Sequence, residues 1–436
     1  MGLDFFDPVT AADFPETILR FRDDAAAKSV GLDGLPEQDW ISHFGRFEPL
    51  EDNLPNPLAL RYHGHQFRHY NPDIGDGRGF LFAQCRDTEG RYLDLGTKGS
   101  GQTPFSRRGD GRLTLLGGIR EVLATNYLNY LGVNSSKSFS LIETGEALQR
   151  GDEPSPTRSS VLVRLSHSHI RFGTFQRLAY LEQSDNLESL VDYCCRYYHS
   201  DCESAQDLFE AVIRVSADSV ASWMAAGFVH GVMNTDNMNI TGESFDYGPY
   251  RFLPTLKSSF TAAYFDQTGL YAFGRQPEAM YWNLAQLAQS LSLITDDKPL
   301  IEALELYGEN YRDRFCHHVF RRLGLQRKNI EMDTEFVLVT FKFLEESQTP
   351  WPQFWHDWCG GGDDEKVKAQ SPNAPFYAGE LFDDWHKLFR AFTPTCDKAG
   401  RESPPSLLYD DITALWTPID ERDDWSAFHE KVKSFT

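Results

Sequence analysis

The chain has 436 residues, enough for two or three domains by length, or for one bilobal unit with additions. Its composition is that of a globular protein, 41% hydrophobic and 24% charged, and no apolar run approaches the roughly 20 residues a membrane span requires. A net charge of −22 excludes general affinity for nucleic acid and for anionic membrane surfaces.

The first residues, Met1 to Pro8, lack the basic flank and apolar run of a signal peptide and are too acidic for a transit peptide, so a cytoplasmic location is expected. Gly2 lacks the downstream residues of a myristoylation signal. Seven irregularly spaced cysteines argue against a disulfide framework. Cys194, Cys195, His199 and Cys202 fall in a helix-like aromatic stretch and read as buried groups rather than a zinc site. His63, His65 and His69 have no carboxylate or thiol partner close by in sequence and read as structural.

Residues 1 to about 60 are acidic and punctuated by Pro8, Pro15, Pro36, Pro49, Pro55 and Pro57, the pattern of an extension wrapped over the next lobe. Residues 71–79 form a glycine-rich loop containing Gly75, Asp76, Gly77 and Arg78. Residues 80–85 and 91–98 read as two strands, joined by the turn residues Asp87-Thr88-Glu89-Gly90. Lys98 closes the second strand, because Gly99-Ser100-Gly101 cannot continue it. From about Leu113, apolar residues recur at Leu116, Ile119, Leu123, Tyr127 and Leu131, a helical spacing that carries Glu121 and stops at Gly132.

Residues 161–165 read as a further strand. A helical pattern through Leu208, Val212, Val215 and Trp223 then leads to His230, and another helix begins near Trp282. Residues 360–365 read as a mobile glycine-rich turn, and residues 362–436 are aromatic, acidic and broken by proline, with no role assigned. Gly-Asp-Gly-Arg occurs at 75–78 and again at 109–112, which reads as two phosphate-facing loops. Between Arg61 and Arg120, ten Arg or Lys meet six Asp or Glu. A local cationic excess inside an acidic chain suits a small anionic ligand.

His230-Gly231-Val232-Met233-Asn234-Thr235-Asp236-Asn237, followed by Asp246-Tyr247-Gly248, has the spacing of a kinase catalytic loop and metal clamp, H-R-D-x-x-x-x-N and D-F-G. Val232 stands where a kinase has its proton-accepting Asp. Asp236 is the nearest carboxylate that could take that task. Asn237 and Asp246 offer hard oxygen ligands suited to Mg²⁺ or Mn²⁺. Glycine loop, strand, strand ending in Lys98 and helix carrying Glu121 follow in the order of a kinase small lobe. The expected fold is therefore α+β, bilobal and protein-kinase-like. It divides into an N-terminal extension (1–60), a small lobe with the nucleotide loops (61–180), and a mainly helical large lobe with an additional C-terminal helical region (181–436).

On these segments the chain resembles the selenoprotein O family, kinase-like protein adenylyltransferases. The resemblance is carried by Gly64-His65-Gln66-Phe67, residues 75–78, residues 97–107, residues 168–175, residues 227–238 and Asp246-Tyr247-Gly248-Pro249-Tyr250. It implies ATP bound with its α-phosphate toward the acceptor and AMP passed to Ser, Thr or Tyr hydroxyls of protein substrates, with Mg²⁺ or Mn²⁺. It implies nucleotide contacts at Gly75, Gly77, Arg78, Lys98 (paired with Glu121), Asp110, Gly111, Arg164 and Arg171. Asp236 would accept the proton, and Asn237 and Asp246 would hold metal. The chain departs from the family in having no cysteine in 258–266, where the family carries one implicated in redox control, and in lacking the Asn-Pro and Arg-Asn signature of its carboxy-terminal segment. Two other readings of the residues are kinase-type phosphoryl transfer with Asp236 as a displaced base, and a non-catalytic nucleotide-binding pseudokinase scaffold.

Overall fold

Eight strands, among the residues described, form one antiparallel sheet. In chain order they are β1 (Phe6–Pro8), β2 (Ile18–Arg22) and β3 (Leu58–Leu60); then, after a separate hairpin of β4 (Gly64–Gln66) and β5 (His69–Asn71), β6 (Leu81–Arg86), β7 (Tyr92–Lys98), β8 (Leu113–Thr114), β9 (Lys137–Leu148) and β10 (Thr157–Ser166). Their order across the sheet is β1-β3-β6-β7-β10-β9-β2, with β8 paired to β10. The first 22 residues thus close both edges of the sheet. This computed structural model describes residues 2–151, 153–396 and 403–435.

Side-chain alternation gives the sheet two unlike faces. Leu95, Phe139, Val161 and Val163 point to one face and meet Trp40 and Phe44 of the helix Glu37–Gly45, with the Trp40 and Phe139 rings stacked 4.8 Å apart. Leu141 and Leu162 point the other way, into the larger core under the helix Leu115–Tyr130. We label these helices α2 and α3, after α1 (Asp24–Ser29). The Thr114 hydroxyl caps α3 by accepting from Gly117 N–H at 3.1 Å, and Gly132, at φ +72°, turns the chain out of it. The β6–β7 turn is fixed by Asp87, whose Oδ1 accepts from the N–H groups of Glu89 and Arg91.

Helices α4 (Phe172–Tyr180), α5 (Ser184–Tyr197) and α6 (Ala205–Ala226) follow, and the rest of the chain is mainly helical. The fold is thus α+β, with an antiparallel sheet and a large C-terminal helical region. Gly227, at φ +69°, ends α6 and hands the chain to β11 (Phe228–Val229), which pairs with β12 (Arg251–Phe252). The loop carrying His230, Asp236 and Asp246 is therefore pinched at its base by a two-stranded ladder. Gln276, at the start of α7 (Gln276–Leu291), holds that base. Its Oε1 accepts from His230 N–H at 3.0 Å and its Nε2 donates to Phe228 O at 2.9 Å.

Near the C-terminus, Phe382, Trp385 and Phe389 of the helix Glu380–Phe389 bury against Phe336 and Phe343 of the helix Ile330–Ser347. Gly360, Gly361 and Gly362 all have positive φ and turn the chain between helices. The helix Tyr409–Arg422 then returns to the sheet, where Arg158 of β10 donates to Ile419 O at 2.7 Å. Among the described residues, no helix is long and apolar enough to cross a membrane.

Cys194 and Cys195 are buried in α5, and burial pushes the Cys195 thiol up to about 11. His199 is bonded to Ile240 O, His63 to Tyr70 Oη and His65 to Gln176.

Candidate active site

Period-2 alternation along β7 sends Asp94, Gly96 and Lys98 away from the Leu95 core. Lys98 thus reaches α3, where it forms an ion pair with Glu121, and its Nζ also lies 2.5 Å from Asp246 Oδ1. The pair is buried, with Lys98 5% exposed and Glu121 1%. On β10, Arg164 stands opposite Gly96 and shares the Lys98 face. Its Nη1 is 3.9 Å from Asp246 Oδ1. Arg171, at the start of α4, donates Nη1–H to Asp236 O at 2.7 Å and lies 3.6 Å from Asp76 Oδ1.

These groups surround a cavity of about 700 Å³. Gly75, Gly77, Arg78, Lys98, Asp110, Gly111, Arg164, Arg171, Asp236 and Asp246 all line it. Glu121 stands behind Lys98 instead, and Asn237 is off the wall with its amide nitrogen donating to Val232 O at 3.0 Å. Both Gly-Asp-Gly-Arg stretches face this one space. Asp110 accepts from Arg150 at 2.8 Å and from Arg112 N–H at 3.0 Å, so it orders arginines at the cavity mouth. Gly111 needs its missing side chain: φ is +71°, and a Cβ would fall 2.2 Å from Gly101 backbone atoms.

Eight Arg or Lys side chains against four Asp give the lining a strong cationic excess. Several buried donors there have no hydrogen-bond partner among the described residues, namely Nε and Nη1 of Arg164 and Nε of Arg171. Asp236 Oδ1 is likewise unsatisfied. Buried polar groups are normally paired, so a cluster of orphaned guanidinium donors marks where a ligand anion belongs.

Two carboxylates of the cavity are driven apart in acidity. Burial pushes the Asp236 carboxyl up to about 6, against the opposing pull of Arg171. At Asp246 burial also acts upward, but Lys98, Arg164, Arg171 and Arg78 outweigh it and hold this carboxyl well below the usual range. Two neighbouring carboxylates whose surroundings push their acidities apart are suited to different tasks.

Sequence reasoning missed Arg107, Arg108, Arg150, Gln66 and His169 in the lining. The local cationic excess was the signal for Arg107 and Arg108. Arg150 had none, because β9 delivers it from outside that stretch. His169 fits only because Gly96 has no side chain: a Cβ there would lie 1.8 Å from His169 Nε2.

A cavity lined in this way suits a compact, highly charged anion. The family model described as Protein adenylyltransferase SelO matches residues 1–436. A protein nucleotidyltransferase YdiU of Trichormus variabilis is 44% identical over 461 residues, spanning 100% of this chain and 93% of that protein. The proteins of the same name from Synechocystis sp. and Gloeobacter violaceus are 42% and 43% identical, with 99% of this chain covered in both and 95% and 92% of the relatives. The chain belongs to the SelO protein adenylyltransferase family, and it is a protein nucleotidyltransferase.

Proposed function

We propose that the chain transfers AMP from ATP to Ser, Thr or Tyr hydroxyls of protein substrates, in a kinase-like bilobal frame whose lobes meet near residue 180. The observation that carries this reading is the set of unpaired Arg164 and Arg171 donors beside Lys98. An unsatisfied buried donor costs about 1–3 kcal/mol, and a polyphosphate relieves several at once. Backbone N–H groups near Gly75, Gly77 and Gly111 would approach phosphate oxygens, and Arg78 would add a further grip. Glu121 would orient Lys98.

In this reading the acceptor oxygen attacks the α-phosphorus and the bond from that phosphorus to the bridging oxygen breaks. Pyrophosphate leaves with the electron pair, and the hydroxyl proton passes to Asp236. Lys98, Arg164 and Arg171 stabilise the leaving charge. Asp236 suits its task because its carboxyl titrates near the working range.

The donor types of Asp246 and Asn237 also suit a divalent ion. Among the described residues no group of three or more His, Cys, Asp or Glu comes together to hold a metal by itself. Asp246 offers a carboxylate and Asn237 an amide oxygen, its nitrogen being engaged by Val232 O. One or two protein oxygens completed by phosphates is the usual Mg²⁺ arrangement, and Mn²⁺ accepts the same ligands. Bound there, the ion would neutralise phosphate charge.

Incubation with Mg²⁺ or Mn²⁺ and ATP labelled at either the α- or the γ-phosphate tests the reading. Retention of α-label with the mass gain of AMP is expected. Incorporation of γ-label alone would restore phosphoryl transfer, and tight ATP binding with no transfer would restore the scaffold.

A further inference from the structure

The β4–β5 hairpin makes no strand pairing with the main sheet. Its hydrogen bonds go to the loop that carries Asp236. His65 N–H donates to Thr235 Oγ1 at 2.7 Å, and Phe67 N–H donates to Asn234 Oδ1 at 3.0 Å. The two residues immediately before Asp236 are therefore both anchored by one strand of the hairpin and its turn. Each anchor has a second support. The Thr235 hydroxyl donates to Gln176 Oε1 of α4 at 2.5 Å, while Gln176 Nε2 meets His65 Nδ1 at 2.7 Å, which closes a three-residue ring of bonds. Tyr271 Oη–H donates to the same Asn234 oxygen at 2.9 Å.

The hairpin also shapes the space around Asp236 itself. A Cβ on Gly64 would lie 3.0 Å from Asp236 Oδ1. Gln66 accepts from Asn71 Nδ2 at 3.0 Å, and its side chain opposes, weakly, the effect of burial on the Asp236 carboxyl. The turn at the tip is strained. Phe67 and Arg68 both have positive φ, +50° and +65°, where such a two-residue turn favours Asn and Gly. The Phe67 ring is held by Tyr271, 5.0 Å away between centroids. A strained turn kept in place by the loop it serves is a device for geometry.

We infer that the β4–β5 hairpin, with Gln176 and Tyr271, is a clamp that positions Asp236 toward the acceptor hydroxyl, and that Thr235 and Asn234 are the positioning residues through which it acts. The inference rests on the reading of Asp236 as proton acceptor. It assigns a task to Gly64-His65-Gln66-Phe67, and it places that task on the acceptor side of the reaction. Neither Thr235 nor Tyr271 lines the cavity, so changes at these two positions leave ATP binding largely untouched.

The test measures transfer of α-label from ATP to a degenerate peptide pool carrying Ser, Thr and Tyr, together with ATP affinity by titration. Thr235→Val should lower the apparent kcat about 10–100-fold, the scale of a small misplacement of a reacting group, with ATP affinity within about twofold. Thr235→Ser should recover most of the loss by restoring the hydroxyl. Tyr271→Phe, a change that removes one oxygen only, should lower kcat about 3–10-fold and carries the test if Thr235→Val does not fold. Asp236→Ala is measured beside them. If it loses transfer while Thr235→Val and Tyr271→Phe keep wild-type kcat, the clamp is wrong and the proton acceptor stands. A Thr235→Ser variant no better than Thr235→Val also overturns the clamp, since packing alone would then explain the loss. Wild-type protein that transfers no α-label removes both ideas together.

Discussion

Lys98 Nζ lies 2.5 Å from Asp246 Oδ1, so a strand-end lysine and a loop carboxylate are joined across the cavity. Glu121 closes the other side of the same ammonium group. One cation thus links β7, α3 and the loop between β11 and β12. The arrangement keeps Asp246 ionised and fixed before any ligand arrives, which is preorganisation at the place where phosphate charge would be handled.

Asp246→Ala should consequently lower nucleotidyl transfer by on the order of 10²–10³-fold, the scale for losing a preorganised charged group, and remove the dependence on Mg²⁺ or Mn²⁺. Asn237→Ala should cost only about tenfold, because a neutral amide contributes less to holding a cation. Titrating ATP with and without metal separates the two. Full metal dependence in Asp246→Ala would show that this loop has been misread.

The close approach of His169 to Gly96 gives a second prediction. Alanine at 96 would set a methyl group 1.8 Å from His169 Nε2, so the ring must leave. Ser166 and Asp94 hold that ring and its backbone on the other side. Gly96→Ala should therefore cost about 1–3 kcal/mol through overpacking and weaken ATP binding, since His169 lines the cavity. Thermal melting and ATP titration on the same sample check both effects.

Local chemistry explains which parts of this fold could be read in advance. The β6–β7 hairpin, α3 with its stop at Gly132, and the delivery of His230 by α6 all rest on contacts between near neighbours. The strand β9 escapes such reading, because Ser138, Ser140 and Thr144 interrupt its apolar residues and are buried all the same. Pairing of β2 with β9 joins residues over 100 positions apart, beyond any window of periodicity. The cavity was legible as a list of glycines and cations. Its orphaned donors and the hairpin behind Asp236 depend on where the sheet and α4 place them, and a sequence does not display that.

The C-terminal helices offer a stability prediction. Arg158 of β10 makes two 2.7 Å bonds to Glu143 of β9 and another to Asp423, at the end of the helix Tyr409–Arg422. Arg20 of β2 reaches the same two carboxylates. Arg158→Ala should destabilise the protein by on the order of 2–3 kcal/mol, the scale for losing charge-assisted bonds. Asp423→Ala should cost under about 1 kcal/mol, as an exposed ion pair does, and should speed proteolysis near residue 423. Equal losses from the two substitutions would place the anchor elsewhere.

Asp236 should trade stability for reactivity, and pH should expose the exchange. Its carboxyl is raised from 3.8 to about 6 chiefly by burial, so ionisation is harder in the folded state than in the unfolded one. Between those values the folded state binds the extra proton, and stability falls as pH rises through this window. The penalty is complete above about pH 6 and absent below 3.8. Asp236→Asn keeps the shape and removes the charge. It should melt at higher temperature than the wild type at neutral pH, with the gap closing as pH is lowered from about 6 toward 4. The same variant should lose about 10²–10⁴-fold in transfer, as expected for a proton acceptor, while wild-type activity should decline as pH drops through about 6. Melting curves and rates across that range read the two effects separately. A variant that is less stable than the wild type at neutral pH would mean that the Asp236 carboxylate is paired in the folded state, and its unsatisfied oxygen would need another explanation.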